Sequence, residues 1–225
     1  MKQERASRTR RALLTAAAEE FDRRGYAGAS LASIARAAGI SLGALTFHFS
    51  SKQELSTAVR EQGCAATRTL VAHTSARRDP PVQCVVSLTL GLVELLEEDA
   101  SVRAAARLDR EAADARHSWR GVWAPLIQER LRATTDAEAC PAADSSALTA
   151  LAVLLVCGTE ATLPHRDSPD SEQDNSAVLA RIWRHILPQA APAGCGGGWP
   201  PRPHSSHTAL HPPSTGTPAP VTNEA

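Results

Sequence analysis

The sequence predicts an all-α fold, and three observations predict it. Apolar residues recur at spacings of three and four almost throughout residues 6–187, and no stretch shows the sustained alternation of a half-buried strand. Aromatic residues make up only 4% of the chain, so the core must consist of Ala, Leu, Val and Ile, and the Ala-, Leu-, Arg- and Glu-rich composition favours helices. Ser, Gly and Pro stand where such helices would begin and end.

The first eighty residues predict four helices, over 6–24, 31–38, 42–49 and 51–77. Ser30 and Ser41 are good N-caps for the two short helices, and the segment from Ser51 to Glu54 has the form of a capping box. Gly25 is placed to end the first helix in the left-handed conformation. The apolar face of that helix consists of Leu13, Leu14, Ala17, Ala18 and Phe21.

Five further helices are predicted after Pro80-Pro81, over 82–98, 101–113, 118–134, 145–162 and 176–187. Residues 188–225 differ in composition, with nine Pro, five Gly and only two charged side chains. Such a segment buries too little apolar surface to offset its ordering entropy, so we expect a disordered tail. The predicted organisation is therefore one domain over 1–55, a second over 56–187, and the tail.

The charge and cysteine patterns limit the function classes. The net charge is zero, but residues 1–60, here called the head, carry ten basic and five acidic side chains, and the rest of the chain is acidic in balance. Five cysteines without a CxxC pair indicate neither a disulfide framework nor a zinc knuckle. The N-terminus lacks the apolar core of a secretion signal, and the longest apolar run, 148–158, is about half of a membrane span. We expect a cytoplasmic protein without a membrane partner.

The segment 30–49, SLASIARAAGISLGALTFHF, has the arrangement of a helix-turn-helix. Ile34 and Ala35 on the first helix and Leu45 on the second can close the angle between them, while the small Ala38 and Gly39 let the chains approach. The second helix is then free to enter a major groove, with the positive end of its dipole toward phosphate. The spacing favours DNA binding, although a helical hairpin of the same spacing also arises by chance.

An ordered set of residues resembles the N-terminal domain of TetR-family transcriptional regulators over about 50 positions. More narrowly, the opening segment MKQERASRTRRALLTAAAEEF together with GALTFHFSSKQEL is similar to the γ-butyrolactone autoregulator receptors of antibiotic-producing actinomycetes. The matching residues are Thr9-Arg10, Ala16-Ala17-Ala18, Phe21, Gly25-Tyr26, Ser30-Leu31, Ile34-Ala35, Ala38-Gly39-Ile40-Ser41, Gly43, Leu45, His48-Phe49 and Ser51-Lys52-Gln53-Glu54-Leu55.

The resemblance implies a homodimer that reads a pseudo-palindromic double-stranded operator. Many relatives carry a basic residue where this chain has Leu42, and most carry a phosphate-contacting Tyr where it has Thr46, so both departures weaken contacts. The helices over 148–162 and 176–187 correspond to those that dimerise in the family. The implied DNA face consists of Ser30, Ser41, Leu42, Gly43, Ala44, Thr46, Phe47, His48 and Lys52, with Lys2, Arg5, Arg8 and Arg10 as a flexible basic arm.

The resemblance also implies a small-molecule effector pocket in the second domain. Trp119 lies at roughly the place where autoregulator receptors carry a Trp over the bound lactone, and Trp123 offers a competing alignment. Core packing is the alternative for both residues. Cys84 and Cys157 are expected to be small core residues. No cofactor or metal is expected, because Cys195 and the histidines of the tail have no preformed geometry.

These observations favour a ligand-released repressor of the γ-butyrolactone receptor type that controls secondary metabolism. A receptor-like regulator that answers to an antibiotic or another metabolite stays open. A helical interaction module without DNA binding also stays open, if Leu42 and Thr46 have inactivated the head. An enzyme is disfavoured, because the sequence contains no GxSxG, Walker loop or HExxH motif.

Overall fold

A computed structural model describes residues 2–112, 118–132, 145–163 and 174–187. Within these ranges the chain forms nine α-helices and no strand, which confirms the all-α prediction. The predicted tail lies outside the described residues, as do Cys140 and Cys195. The helices are α1 (Lys2–Gly28), α2 (Leu31–Ala37), α3 (Leu42–His48), α4 (Lys52–Ala76), α5 (Pro81–Glu98), α6 (Ala100–Glu111), α7 (Trp119–Arg132), α8 (Ser145–Thr162) and α9 (Asn175–Ile186).

The first helix differs from its prediction at both ends. Gly25 has φ 68° and ψ −178°, so the positive φ is confirmed, but the helical path resumes and continues to Gly28. At the other end the helix begins at Lys2 rather than Ala6. The segment expected to be a flexible basic arm is therefore helical: no Gly or Pro interrupts it, and Arg10 lies over the ring of Phe49, 5.0 Å from its centroid. Its contact with DNA stays a prediction.

The caps of the short helices follow the sequence prediction. The hydroxyl of Ser30 accepts from the N–H of Ser33 at 3.0 Å, and that of Ser41 accepts from the N–H of Ala44 at 3.1 Å. The expected reason for Gly39 is wrong. A Cβ at Gly39 would meet nothing within 4 Å, so this glycine serves no close approach, and its φ of 68° shows that the turn itself requires it.

One apolar core joins the head to helix α6. Its members are buried and come from α1 to α4 and from α6, so the boundary predicted at residues 55 and 56 falls inside the continuous helix α4. The division into two domains stays a prediction. The core residues include Leu13, Ala17 and Phe21 of α1, Ile34 and Ala35 of α2, Leu45 of α3, Leu55 and Val59 of α4, and Ala104 and Leu108 of α6.

Polar contacts hold the last part of α1 against α6. The guanidinium of Arg103 pairs with the carboxylate of Asp22 at 2.6 Å, and that of Arg107 donates to the backbone carbonyl of Asp22 at 2.6 Å. A carboxylate oxygen of Glu111 accepts from the backbone N–H of Tyr26 at 2.7 Å. These three side chains of α6 therefore fix the end of α1 at two consecutive turns.

We call Gly25 and Tyr26 together the junction, because side chains from two other helices meet there. A Cβ at Gly25 would lie 2.2 Å from Oε1 of Glu111, so the position needs glycine for space as well as for its positive φ. From the opposite side, Nζ of Lys52 donates to the carbonyls of Tyr26 at 2.7 Å and Ala29 at 3.0 Å, and lies 4.3 Å from the Tyr26 ring centroid.

Helix α8 packs on α5 and α7 but leaves most of its surface uncovered. Only Ala152 and Val156 are buried, while Leu154 is 68% exposed. By length and composition α8 is apolar enough to cross a membrane, which the estimate from the shorter run 148–158 missed because it ended at weakly polar flanking residues. A helix of a soluble protein that packs on a partner has the same length and apolar composition.

A buried carboxylate in the head gives a pH-dependent stability. Glu20 is 2% exposed, accepts a hydrogen bond from Arg23 at 2.6 Å, and lies 3.4 Å from Nε of Arg24. Burial alone would raise the pKa of Glu20, but the hydrogen bond from Ser33 and the two arginine charges outweigh it and lower that pKa. The stabilisation is therefore present above the ordinary pKa of 4.5 and is lost as pH falls through the lowered value.

We predict that Glu20→Gln lowers the free energy of unfolding at pH 7 by about 1–2 kcal/mol, because it removes a charged hydrogen-bond acceptor. The exposed neighbour Glu19→Gln should change it by less than about 0.5 kcal/mol. Urea denaturation followed by circular dichroism at pH 7 and pH 3.5 checks both variants. The cost of Glu20→Gln should shrink at the lower pH; an equal cost at both would mean that packing, not charge, is responsible.

Candidate nucleic-acid interface and effector site

Helix α3 turns one face to the core and the opposite face outward. Leu45 is fully buried and faces Ile34 in the core of the head. With about 100° between successive residues, Gly43 and Phe47 lie almost diametrically opposite Leu45. Phe47 is 86% exposed, and a Cβ at Gly43 would meet nothing within 4 Å. The outer face of α3 is therefore free to approach another molecule.

The remaining predicted positions on α3 are also accessible. Ser41 and Thr46 are exposed, Leu42 is 48% exposed, and Ala44 is half-buried. The hydroxyl of Thr46 donates to the carbonyl of Gly43 at 3.1 Å, so its hydrogen points back to its own helix. His48 is half-buried, with its ring 5.5 Å from that of Phe47 in an edge-on arrangement.

The head also carries exposed basic side chains outside α3. Arg5, Arg8 and Arg10 are exposed on α1, and Arg36, which the sequence reasoning did not single out, is exposed at the end of α2. The backbone of Lys2 is helical, and its side chain lies outside the described part. The positive charge of the head is thus available on its surface for phosphate groups.

Lys52 makes intramolecular contacts that the sequence reasoning missed. Its ammonium group donates to two backbone carbonyls and lies over the ring of Tyr26. These contacts tie the start of α4 to the junction, and its expected phosphate contact stays a prediction. Ser30, the other predicted residue outside α3, is exposed and bonded to Ser33 as the cap of α2.

The two candidate effector residues form a buried aromatic pair. The rings of Trp119 and Trp123 are 5.5 Å apart at 64°, an edge-on contact. Nε1 of Trp119 donates to the hydroxyl of Thr67 at 2.9 Å, whereas Nε1 of Trp123 has no hydrogen-bond partner among the described residues. Both indoles are buried, so core packing accounts for their apolar surface, and the assignment of either to a ligand stays a prediction.

A second buried indole repeats the bonding of Trp119. Nε1 of Trp183 on α9 donates to the hydroxyl of Thr89 at 3.0 Å, and both residues are buried. Thr67 and Thr89 in turn donate to carbonyls of their own helices. The sequence signal for these contacts was a threonine among the buried residues of a helix face, which indicates a buried hydroxyl but not its partner.

The described cysteines have no redox or metal-binding environment. Burial raises the pKa of the Cys64, Cys84 and Cys157 thiols above their ordinary value, which disfavours the reactive thiolate. Cys84 is buried as expected, and Cys157 is half-buried. No group of three metal-ligating side chains occurs within the described ranges.

The sequence and the fold of this chain are similar to those of known regulators. The family model of bacterial regulatory proteins of the tetR family matches residues 13–59, which run from α1 to the start of α4. The A-factor receptor protein of Streptomyces griseus is 28% identical over 196 residues, a match that covers 86% of this chain and 67% of the receptor. The head of this chain is therefore similar to that of bacterial regulators of the tetR family.

Two solved structures extend this likeness beyond the head. The crystal structure of a γ-butyrolactone receptor (ArpA-like protein) has a TM-score of 0.67 and 28% identity, and the match covers 84% of this chain and 91% of that one. The TetR-family protein CprB from Streptomyces coelicolor, in complex with its biological operator sequence, has a TM-score of 0.66 and 28% identity, covering 81% and 88%. The resemblance stated from the sequence is confirmed.

We predict that Thr67→Val lowers the free energy of unfolding by about 1–3 kcal/mol, because it leaves the buried N–H of Trp119 without an acceptor. Thr69→Val is the matched control, since Thr69 is exposed on the same helix, α4, and makes the same kind of bond to a carbonyl four residues earlier. Urea denaturation compares the two variants. Equal losses would show that the indole bond contributes nothing beyond the threonine-to-carbonyl bond.

Proposed function

We propose that this chain is a homodimeric, ligand-released transcriptional repressor of the γ-butyrolactone receptor type that controls secondary metabolism. The observation that carries the proposal is the outward face of α3, fixed by two serine caps and a buried Leu45, in a head that matches the TetR family. The second helix of a helix-turn-helix reads the major groove from such a position. The operator complex of CprB supports the same use of the head.

A partner copy would cover the free face of α8. The exposed positions of this helix carry no charge, and five of them repeat every three or four residues: Ala147, Ala150, Leu154, Gly158 and Ala161. Four of these five residues are small, so a second identical helix can approach this apolar stripe closely. A single α3 contacts few base pairs, so useful affinity requires the two half-sites that a dimer reads.

Release by an effector requires that the effector bind the DNA-incompetent conformation more tightly. A switch from 99:1 to 1:99 needs a preference of about 10⁴-fold. The buried Trp119 and Trp123 are the residues proposed to meet an apolar, lactone-like ligand, and the unpaired N–H of Trp123 offers it a hydrogen-bond donor. No cofactor enters this mechanism.

We place the protein in the cytoplasm, where its operator would be, and we do not propose an enzymatic activity. Its relatives are regulators and receptors rather than enzymes. A dimer face explains the exposed apolar surface of α8 without a membrane. The second candidate, a regulator that answers to an antibiotic or another metabolite, is favoured by the complete burial of both tryptophans and the bond that already uses the N–H of Trp119.

Fluorescence anisotropy of the full chain on labelled fragments of its own upstream region tests the proposal. Titrations at several salt concentrations, with and without A-factor and a panel of related γ-butyrolactones, separate the outcomes. Specific, salt-sensitive binding that collapses with one lactone supports the receptor-type repressor. Binding that no lactone changes supports the second candidate, and duplex DNA left unbound at low salt would mean a helical interaction module.

We predict that Trp119→Ala keeps operator binding but no longer releases the operator at saturating A-factor or the active lactone of that panel. Trp183→Ala is the matched control, because it removes another buried indole with the same bond to threonine. The Trp183→Ala variant should release the operator normally. Normal release by Trp119→Ala as well would contradict the role of Trp119, and Trp123→Ala would then test the competing position.

A further inference from the structure

We propose that α3 recognises its operator through the C5-methyl groups of thymines, which Leu42 and Phe47 contact in the major groove. The inference rests on the proposed DNA-binding function and names the base chemistry that this recognition helix reads.

The side chains of α3 include few hydrogen-bonding groups. The helix, LGALTFH, contains no Arg, Lys, Asn, Gln, Asp or Glu. Those are the residues that make bidentate hydrogen bonds with guanine or adenine, or accept from cytosine, in the major groove. Its polar side chains are Thr46, whose hydroxyl donates to the Gly43 carbonyl, and His48, which is half-buried in the last turn. Hydrogen-bonded readout by this helix is therefore limited.

Two large apolar side chains of α3 are exposed. The described part of the chain has four large exposed hydrophobic residues, and two of them, Leu42 at 48% and Phe47 at 86%, lie on this seven-residue helix. Leaving a phenylalanine ring in water is unfavourable, so its burial against a partner would be favourable. The exposed ring makes no contact with the core that would otherwise explain its place.

The exposed side chains of α3 lie on the outer side of the helix. Phe47 lies about 200° around the helix from the buried Leu45, so it points away from the core. Gly43 is on the same outer ridge one turn earlier and leaves open space, so the helix can approach the base edges closely. Leu42 is the first helical residue, and N-terminal residues of a recognition helix contact base edges in this motif.

Different groups of the head would supply affinity for DNA and recognition of its base sequence. Exposed arginines on α1 and α2, among them Arg5, Arg8 and Arg36, can neutralise phosphates whatever the sequence. The base sequence of the operator must then be read by side chains other than these arginines. Thymine alone of the four bases presents a methyl group in the major groove, and apolar contacts with that methyl are an established form of readout. The apolar ridge of α3 fits this one base.

The test replaces single thymines of the operator with deoxyuridine, which removes the methyl group and keeps the base pair. Anisotropy titrations of the full chain measure each Kd. At one or two thymines in each half-site the replacement should weaken binding about fourfold per methyl, the effect of burying one CH₂-sized group. Replacement at the other thymines should leave Kd unchanged.

Variants then assign the methyl groups to side chains. Phe47→Ala should bind the thymine and deoxyuridine operators equally at one sensitive position, and Leu42→Ala should do so at the other. Ile186→Ala is the control, because this residue is similarly exposed, at 41%, but lies on α9. Its sensitivity to deoxyuridine should match that of the unaltered chain at every position.

Two outcomes would overturn the inference while the proposed function stands. One is an operator that binds specifically and tolerates deoxyuridine at every thymine. The other is a loss of affinity in Leu42→Ala and Phe47→Ala that leaves the methyl sensitivity intact, which would mean contacts with sugar and phosphate. If the unaltered chain binds no operator specifically, the proposed function itself fails, and the two failures are thus distinguished.

Discussion

The contact between Glu111 and the junction is the constraint on which the position of the head depends. The carboxylate occupies the space that a side chain at residue 25 would need and holds the N–H of Tyr26, while Lys52 holds its carbonyl from the start of α4. Helices α1, α4 and α6 therefore meet at one residue, Tyr26, in the head that also carries α3. Any shift of α6 must carry this residue with it or break its hydrogen bonds, so the positions of α6 and of the head are coupled.

Local patterns were enough to predict the helices, because capping and apolar periodicity are encoded within a few residues. Ser30 and Ser41 took the roles assigned to them, and Leu45 was buried as expected. Gly25 has the predicted positive φ but does not end the helix. The failures involve partners that are distant along the chain. Glu111 is 85 residues from Tyr26, and Thr67 is 52 residues from Trp119, so no local spacing indicates either pair. The intramolecular contacts of Lys52 were missed for the same reason, because the two carbonyls that it meets lie 26 and 23 residues earlier in the chain.

The buried indoles show how the core of the body accepts polar groups at low cost. Each N–H of Trp119 and Trp183 meets a threonine hydroxyl, which passes its own hydrogen to a helix carbonyl, so every group in the chain of bonds is satisfied. Trp123 departs from this pattern, since its fully buried N–H has no described partner. An unpaired buried donor is unfavourable, so a hydrogen-bond acceptor that reached the N–H of Trp123 would be stabilised there.

The helical start of the chain limits how far its basic residues extend. Over the eight steps from Lys2 to Arg10 a helix rises about 12 Å, whereas an extended segment of the same length reaches about 27 Å. Arg10 is also held on Phe49, so the far end of this segment is fixed to the core of the head. A DNA-bound protomer would therefore present these basic residues only to nearby phosphates, and its footprint would be compact.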